Sequence, residues 1–231
     1  VKRVRVGIAA ALAAACLRCG SAPAGARPAP APRARAPRPP AAGPAAAPGA
    51  VAEGKELAAR LFGRDPLVRD DRLLRYVALV GRTCAGPRAA GWRFGVTQST
   101  IPYATAFPGD LVVVSRGLLF LLRSEAELGV VLSREICRGE TDPARDFPGP
   151  EGEAADLARE KRLDACGARR AAVAGYDAAA FLQLLDTLQD RAASVREKSD
   201  LQSRAAAFRA LPEATAGGKL LAERFRSSAI L

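Results

Sequence analysis

The residues best placed to do chemistry are a glutamate and two arginines in one predicted helix. Glu135 lies in the middle of an apolar stripe that helical periodicity predicts for residues 128–136. A lone carboxylate there costs on the order of several kcal/mol unless it is paired or neutral. Arg134 and Arg138, four residues apart, flank the same edge of the helix. This grouping indicates either a general base or part of a buried ion-pair cluster.

Two further acids, Glu160 and Asp164, lie about one turn apart in a second predicted helix, residues 153–174. The spacing Arg134-Glu135-x-x-Arg138 is that of the zinc-protease motif His-Glu-x-x-His, with arginine at both histidine positions. The chain contains no histidine at all. Because arginine does not lose its proton in a protein, it cannot ligate a cation. The sequence therefore predicts no metal and no other cofactor.

The stretches around these residues resemble a known enzyme family. They are Ala104-Thr105-Ala106-Phe107-Pro108-Gly109, Leu111 to Val114, Ser115-Arg116-Gly117-Leu118-Leu119, the Glu160 to Gly167 segment and Ala174-Gly175-Tyr176-Asp177. The succession, with the helix that Ser124 and Glu127 cap between the third and fourth stretches, resembles zinc metallopeptidases of the CAAX-prenyl endopeptidase and heat-shock protease X type (peptidase class M, family forty-eight). The resemblance covers roughly residues 53 to 190.

The resemblance implies a role for each of these positions. Glu135 is the remnant of a general base, Glu160 of a third zinc ligand, and Asp164 of the group that orients a ligand histidine. Arg134 and Arg138 occupy the two histidine positions. The peptide-binding strand corresponds to Tyr103, Ala104, Thr105, Ala106 and Phe107. The family's Thr-His-Pro stretch and following arginine have no counterpart beyond Leu211-Pro212, so that element is expected to be lost.

The two arginines carry the same charge as a zinc ion with two neutral histidines. We therefore predict that guanidinium groups fill the metal position, one bonded to Glu160 and the other to Glu135 or Asp164. Without such acids, two arginines at this spacing repel each other by roughly 0.2–0.5 kcal/mol even on an exposed helix. The alternative is that both side chains turn to solvent as an ordinary charged edge.

Charge and composition separate the N-terminal region from the rest of the chain. Of the net charge of +11, only +3 remains for residues 51–231, because residues 1–50 hold eight Lys or Arg and no acid. This distribution argues against nucleic acid as a partner. Residues 1–19 read as an export signal, with Cys16 as a lipidation site; cleavage near Ala22 or Ala24 is the alternative. The expected location is the periplasm or the outer membrane of the cell envelope.

The predicted organisation has four parts. After the export segment come an Ala/Pro/Arg-rich linker (20–52), a metallopeptidase-like domain (53–192) and a C-terminal helical extension (193–231). Strand periodicity around Trp92 to Val96 and a Pro108-Gly109 turn indicate a small antiparallel sheet against helices. The predicted class is α+β, a mainly helical zincin-like domain. A polar loop is expected over residues 139–152.

The cysteines and the remaining motifs leave alternatives open. A disulfide among Cys84, Cys137 and Cys166 is possible in an oxidising compartment, and buried free thiols are an equally good interpretation. The absence of both G-x-S-x-G and histidine argues against a serine or cysteine hydrolase. The sequence favours an exported pseudopeptidase that binds an envelope protein or peptide. The alternatives are an active zinc metalloendopeptidase with non-standard ligands and a structural envelope lipoprotein.

Overall fold

A computed structural model of the chain describes residues 48–141 and 153–228, with only the backbone described at 153–155. The predicted export segment, Cys16 and most of the predicted linker lie outside these residues. The described part is mostly helical and carries a small three-stranded sheet. This confirms the α+β class.

Within the described residues, two α-helices come first, three strands follow, and six further α-helices complete the order. They are α1 (Pro48–Arg64), α2 (Asp71–Ala85), β1 (Arg93–Thr97), β2 (Ala104–Phe107), β3 (Leu111–Ser115), α3 (Arg116–Leu121), α4 (Glu125–Thr141), α5 (Glu153–Val173), α6 (Phe181–Arg191), α7 (Val195–Arg209) and α8 (Ala222–Ser228).

The sheet is mixed, so the prediction of a purely antiparallel sheet is wrong. Its strand order is β1-β3-β2, with β2 antiparallel and β1 parallel to β3. A short turn containing Gly109, whose φ of 85° suits glycine, joins β2 directly to β3 and makes that pair antiparallel. The chain between β1 and β2 crosses to the far side of β3. This crossing leaves β1 to pair in parallel, Phe94 opposite Val112.

Helices cover both faces of the sheet. On one face, Ala58 of α1 clusters with Phe107 and Val113; the opposite face joins the main core with α2 and α4. Helix α1 is 17 residues long and includes the last five residues of the predicted linker. Its early turns are held because Gly54 lies against the Pro108 carbonyl, where a side chain would clash.

Specific contacts determine where α2 begins and where α4 ends. Helix α2 begins at Asp71 because Asp70 caps it by accepting hydrogen bonds from two backbone amides at 2.9 and 3.1 Å. Helix α4 continues through Gly139 to Thr141, where a loop was predicted. Gly139 packs against Trp92 so closely that a Cβ would lie 2.7 Å from the indole. Tertiary packing therefore overrides the helix-breaking tendency of glycine there.

The segment after residue 192, predicted as an extension, contributes to the main core. Leu201, Ala205 and Phe208 of α7 are buried there, and Phe225 of α8 joins them. These α7 residues form a narrow stripe at intervals of four and three, which is the inward edge of a helix that is otherwise polar. The stripe places α7 beside α5 and α6, next to the predicted site.

Candidate functional site

Helix α4 fixes the direction of Glu135 and its two flanking arginines. The helix starts where predicted: the Ser124 hydroxyl accepts a hydrogen bond from the Glu127 amide at 3.2 Å. The Glu127 carboxylate in turn accepts one from the amide of Arg123 at 2.9 Å. Most of the helix is buried, which fixes its rotation against the core. Glu135 is consequently held in the protein interior.

Helix α5 brings Glu160 and Asp164 to α4 because the two helices approach closely. A Cβ on Gly167 would lie 3.0 Å from backbone atoms of Arg134, so a larger side chain would push the helices apart. A disulfide between Cys137 and Cys166, with Cα atoms 6.3 Å apart, joins the same helices. This bond decides a pairing that the sequence left open.

The third candidate cysteine, Cys84, is a buried free thiol. Its burial raises the pKa of the thiol to about 12, so it is protonated at neutral pH. A buried neutral thiol is a poor nucleophile and a poor metal ligand. Cys84 therefore fits the interpretation of a small core side chain.

The predicted ion pairs are present in the structure. Arg134 binds all three acids: Nη1 lies 2.5 Å from Glu135 Oε1, Nε lies 2.9 Å from Asp164 Oδ1, and Nη2 contacts Glu160. Arg138 bonds to Glu135 Oε2 at 3.0 Å and to Glu160 Oε1 at 3.1 Å. The two arginine side chains are only 12% and 15% exposed. This excludes the alternative that both turn to solvent.

A third arginine, Arg204 of α7, completes the cluster and was not found from the sequence. Its Nε and Nη2 bond to the two oxygens of Asp164, each at 2.8 Å. Three guanidinium groups thus face three carboxylates, and the cluster is neutral in formal charge. The available signal was the position of Arg204 next to the inward stripe of α7, beside Ala205.

The chemistry of the cluster follows from its hydrogen bonds. Both carboxylate oxygens of Glu135, which is fully buried, accept from guanidinium groups, so neither is free to take a proton from water. Burial lowers the pKa of Arg134, opposed by the charges of Glu135 and Asp164. Arginine nevertheless stays protonated in proteins and offers no lone pair to a metal.

The residues present do not fit a zinc ion. Catalytic zinc needs three deprotonated nitrogen, sulfur or oxygen ligands around an open position, and guanidinium groups occupy the space between these acids. Within residues 48–141 and 153–228, no three His, Cys, Asp or Glu side chains are grouped to hold a metal. The arrangement is therefore suited to holding helices together.

The predicted peptide-binding strand lies directly beside this cluster. Ala104, Thr105, Ala106 and Phe107 form β2, at the edge of the three-stranded sheet. Tyr103 precedes the strand, with its hydroxyl 2.6 Å from that of Thr97. A small cavity of about 130 Å³ is lined both by the start of the strand and by members of the cluster. Those lining residues include Tyr103, Ala104, Arg134, Glu135 and Arg204.

A larger cavity of about 640 Å³ continues from the same place. The two cavities share Pro102, Leu188 and Arg204. The larger one lies among the loop before β2, the first part of α5, the end of α6 and the start of α7. The two adjoining cavities together are called the cleft.

In comparisons with known proteins, no family model matches the chain and no curated protein matches it. Among the helices in the described part, none is both long and apolar enough to cross a membrane.

Proposed function

We propose that this protein is an exported, metallopeptidase-like pseudoenzyme that binds an extended peptide or protein of the cell envelope without cutting it. The observation that carries the proposal is the pair of guanidinium groups on both oxygens of Glu135, at 2.5 and 3.0 Å. They stand where the family resemblance implies a metal and its histidines. In this proposal, α4 and α5 correspond to the helices of a peptidase site, and ion pairs replace its metal-binding groups.

The loss of hydrolytic activity follows from the two requirements of zinc-dependent peptide hydrolysis. Zinc lowers the pKa of a bound water toward about 7, and a neighbouring carboxylate takes its proton. Here the cations that compensate Glu135, Glu160 and Asp164 are covalently part of the chain. They can neither polarise a water as a Lewis acid nor be exchanged for a metal.

Peptide binding is favoured by the position of β2 next to the cleft. Strands at a sheet edge recognise extended peptides through main-chain hydrogen bonds, and adjacent pockets select side chains. The small cavity beside Tyr103 and Ala104 supplies such a pocket, and Arg134 and Glu135 of the ion-pair cluster contribute to its lining. In this proposal, the ion-pair cluster holds one part of the cleft lining in a fixed position.

The proposal is tested by measuring binding and cleavage on the same substrates. The full chain is incubated with casein and with a library of fluorescent, quenched peptides, with and without added zinc. We expect peptides to bind and none to be cut. Ala104→Glu, which fills the cavity with a charged side chain, should weaken binding at least tenfold.

The matched control is Ala59→Glu, the same chemical change at an exposed position of α1. It should leave binding unchanged. Zinc-dependent cleavage that a chelator abolishes would overturn the proposal and favour an active enzyme. Absence of binding to any peptide would favour a purely structural protein.

A further inference from the structure

Arg204 has a nitrogen that the ion-pair cluster does not use. Its Nε and Nη2 bind the two oxygens of Asp164, each at 2.8 Å. Nη1 carries two further N–H donors, and it makes no hydrogen bond with any residue in the described part of the chain. Because the guanidinium group is planar, Nη1 lies on the side away from Asp164. Arg204 can therefore bind a second acceptor without leaving the cluster.

This nitrogen belongs to a side chain that lines both cavities of the cleft. Pro102 and Leu188 also line both, so Arg204 lies where the two cavities adjoin. The other charged residues in the lining of the small cavity are Arg134 and Glu135. Every side-chain nitrogen of Arg134 and both oxygens of Glu135 already have partners in the cluster. Arg204 is thus the residue that can offer a positive charge to a ligand in the small cavity.

Most of the remaining lining of the small cavity is apolar. Side chains of α3, α4 and α6 contribute to it, namely Leu118, Val131, Phe181, Leu184 and Leu188. An aliphatic side chain placed among them is removed from water and packs against carbon atoms. A carboxylate beside Arg204 receives a charge-assisted hydrogen bond in a place where the arginine side chain is only 15% exposed. The small cavity therefore suits a ligand that combines both groups within a short distance.

We propose that the cleft recognises an aliphatic side chain that has a carboxylate next to it. The aliphatic group enters the small cavity, and the carboxylate accepts a hydrogen bond from Nη1 of Arg204. This inference rests on the proposed function, because it names the class of peptide that the cleft beside β2 binds. A peptide can supply the carboxylate in two ways, from an Asp or Glu side chain or from its own C-terminus.

The arrangement also determines which ligands bind weakly. A neutral amide in place of the carboxylate keeps an acceptor oxygen but loses the charge, and hydrogen bonds between charged groups are the stronger ones. A lysine or arginine side chain at the same place would face the guanidinium group of Arg204, and like charges repel. The expected order of affinity is therefore carboxylate first, amide second and ammonium last.

A comparison of ligands on the native full chain tests this order without disturbing the cluster. Three fluorescent peptides with blocked ends differ only two residues after a central leucine, where they carry glutamate, glutamine or lysine. Residues two apart lie on the same side of an extended strand. A fourth and a fifth peptide end in leucine, one as the free acid and one as the amide.

Fluorescence anisotropy should show that a carboxylate peptide binds about tenfold more tightly than its amide counterpart. The pair that shows the difference identifies the source of the carboxylate. The preference should decrease between about 0.05 and 0.5 M salt, because salt screens the charge of a partly exposed arginine. Equal affinity of acid and amide in both pairs would overturn the inference.

Arg204→Lys tests whether Nη1 is the group responsible. Lysine keeps one positive charge for Asp164 but has no second nitrogen, so the preference for a carboxylate should fall below about twofold. The control is Arg209→Lys on the same helix, where the arginine is exposed and pairs with Asp186 at 3.5 Å. It should keep the full preference. A preference that persists in Arg204→Lys would contradict the inference, and if this variant does not fold, the comparison of ligands on the native chain decides.

A small probe separates this inference from the proposed function. N-acetylleucine has the aliphatic side chain and the carboxylate but is too short to pair with β2 as a strand, and N-acetylleucinamide is its neutral control. Saturation-transfer NMR that shows an Arg204-dependent preference for the acid, with no peptide bound, would sustain the inference and reject the proposed function. Peptides that bind equally whatever group follows leucine would do the reverse. Binding of none of the probes would reject both.

Discussion

Substituting Glu135 by glutamine distinguishes a buried ion-pair cluster from a catalytic base. In an active hydrolase, this change removes the base and leaves the fold intact. In this protein, Glu135 is fully buried and receives hydrogen bonds from Arg134 at 2.5 Å and Arg138 at 3.0 Å. Glutamine keeps the size of the side chain, but its amide group donates and would face a guanidinium group.

The expected loss is about 3 kcal/mol. Removing one partner of a buried ion pair costs roughly 3–5 kcal/mol. The lower end of this range applies because both arginines keep other ion pairs. Arg134 remains paired with Glu160 and Asp164, and Arg138 remains paired with Glu160. For a domain of this size, 3 kcal/mol corresponds to a melting temperature lower by about 6–12 °C.

Urea unfolding can be followed by the fluorescence of Trp92, the single tryptophan, which is buried. Its midpoint should fall while the denaturant slope stays constant. The control is Asp186→Asn, which breaks an exposed pair with Arg209 (3.5 Å) and should cost less than about 0.5 kcal/mol. A loss below about 1 kcal/mol for Glu135→Gln would refute the reasoning.

Three further changes test other parts of the structure. Replacing both Cys137 and Cys166 by alanine should lower the unfolding free energy by about 3–4 kcal/mol, measured in urea, because the disulfide closes a 29-residue separation. Arg224→Ala should cost about 1–2 kcal/mol at pH 7 and less at pH 4, as thermal unfolding at both pH values can show. Burial raises the pKa of Glu125, but hydrogen bonds led by that from Arg224 hold it below its ordinary value, so this stability is lost as pH falls. Burial raises the pKa of Glu127 to about 6, so its contribution is present below about pH 4 and lost as pH rises through 6. Glu127→Gln should therefore gain about 2 kcal/mol over the native chain in urea at pH 7.5 and nothing at pH 4.

The local part of the site could be predicted from the sequence because helix periodicity determines it. Glu135 in an apolar stripe, with arginines on either side, requires counter-charges nearby whatever the fold. The spacing of Glu160 and Asp164 places two carboxylates on one face of another helix. The prediction that Arg134 and Arg138 contact these acids also needed the family resemblance, because periodicity alone does not show that the two helices meet.

The features that could not be predicted from the sequence depend on contacts between residues far apart in the chain. Arg204 became visible only when α7 was placed beside α5, because its apolar stripe is narrow and the helix is mostly polar. The pairing of Cys137 with Cys166 depended on how closely Gly167 lets α5 approach α4. The parallel pairing of β1 depended on the route of a loop, which strand periodicity does not encode.

The central claim is that two arginines stand in place of a metal and its histidines. Its most direct test is the zinc content of the purified native chain and of the variant Arg134→His with Arg138→His, measured after dialysis at neutral pH. We predict no bound zinc in the native chain and about one zinc per chain in the variant, held by both histidines and Glu160. Stoichiometric zinc in the native chain, or a variant that folds without taking up zinc, would contradict the claim.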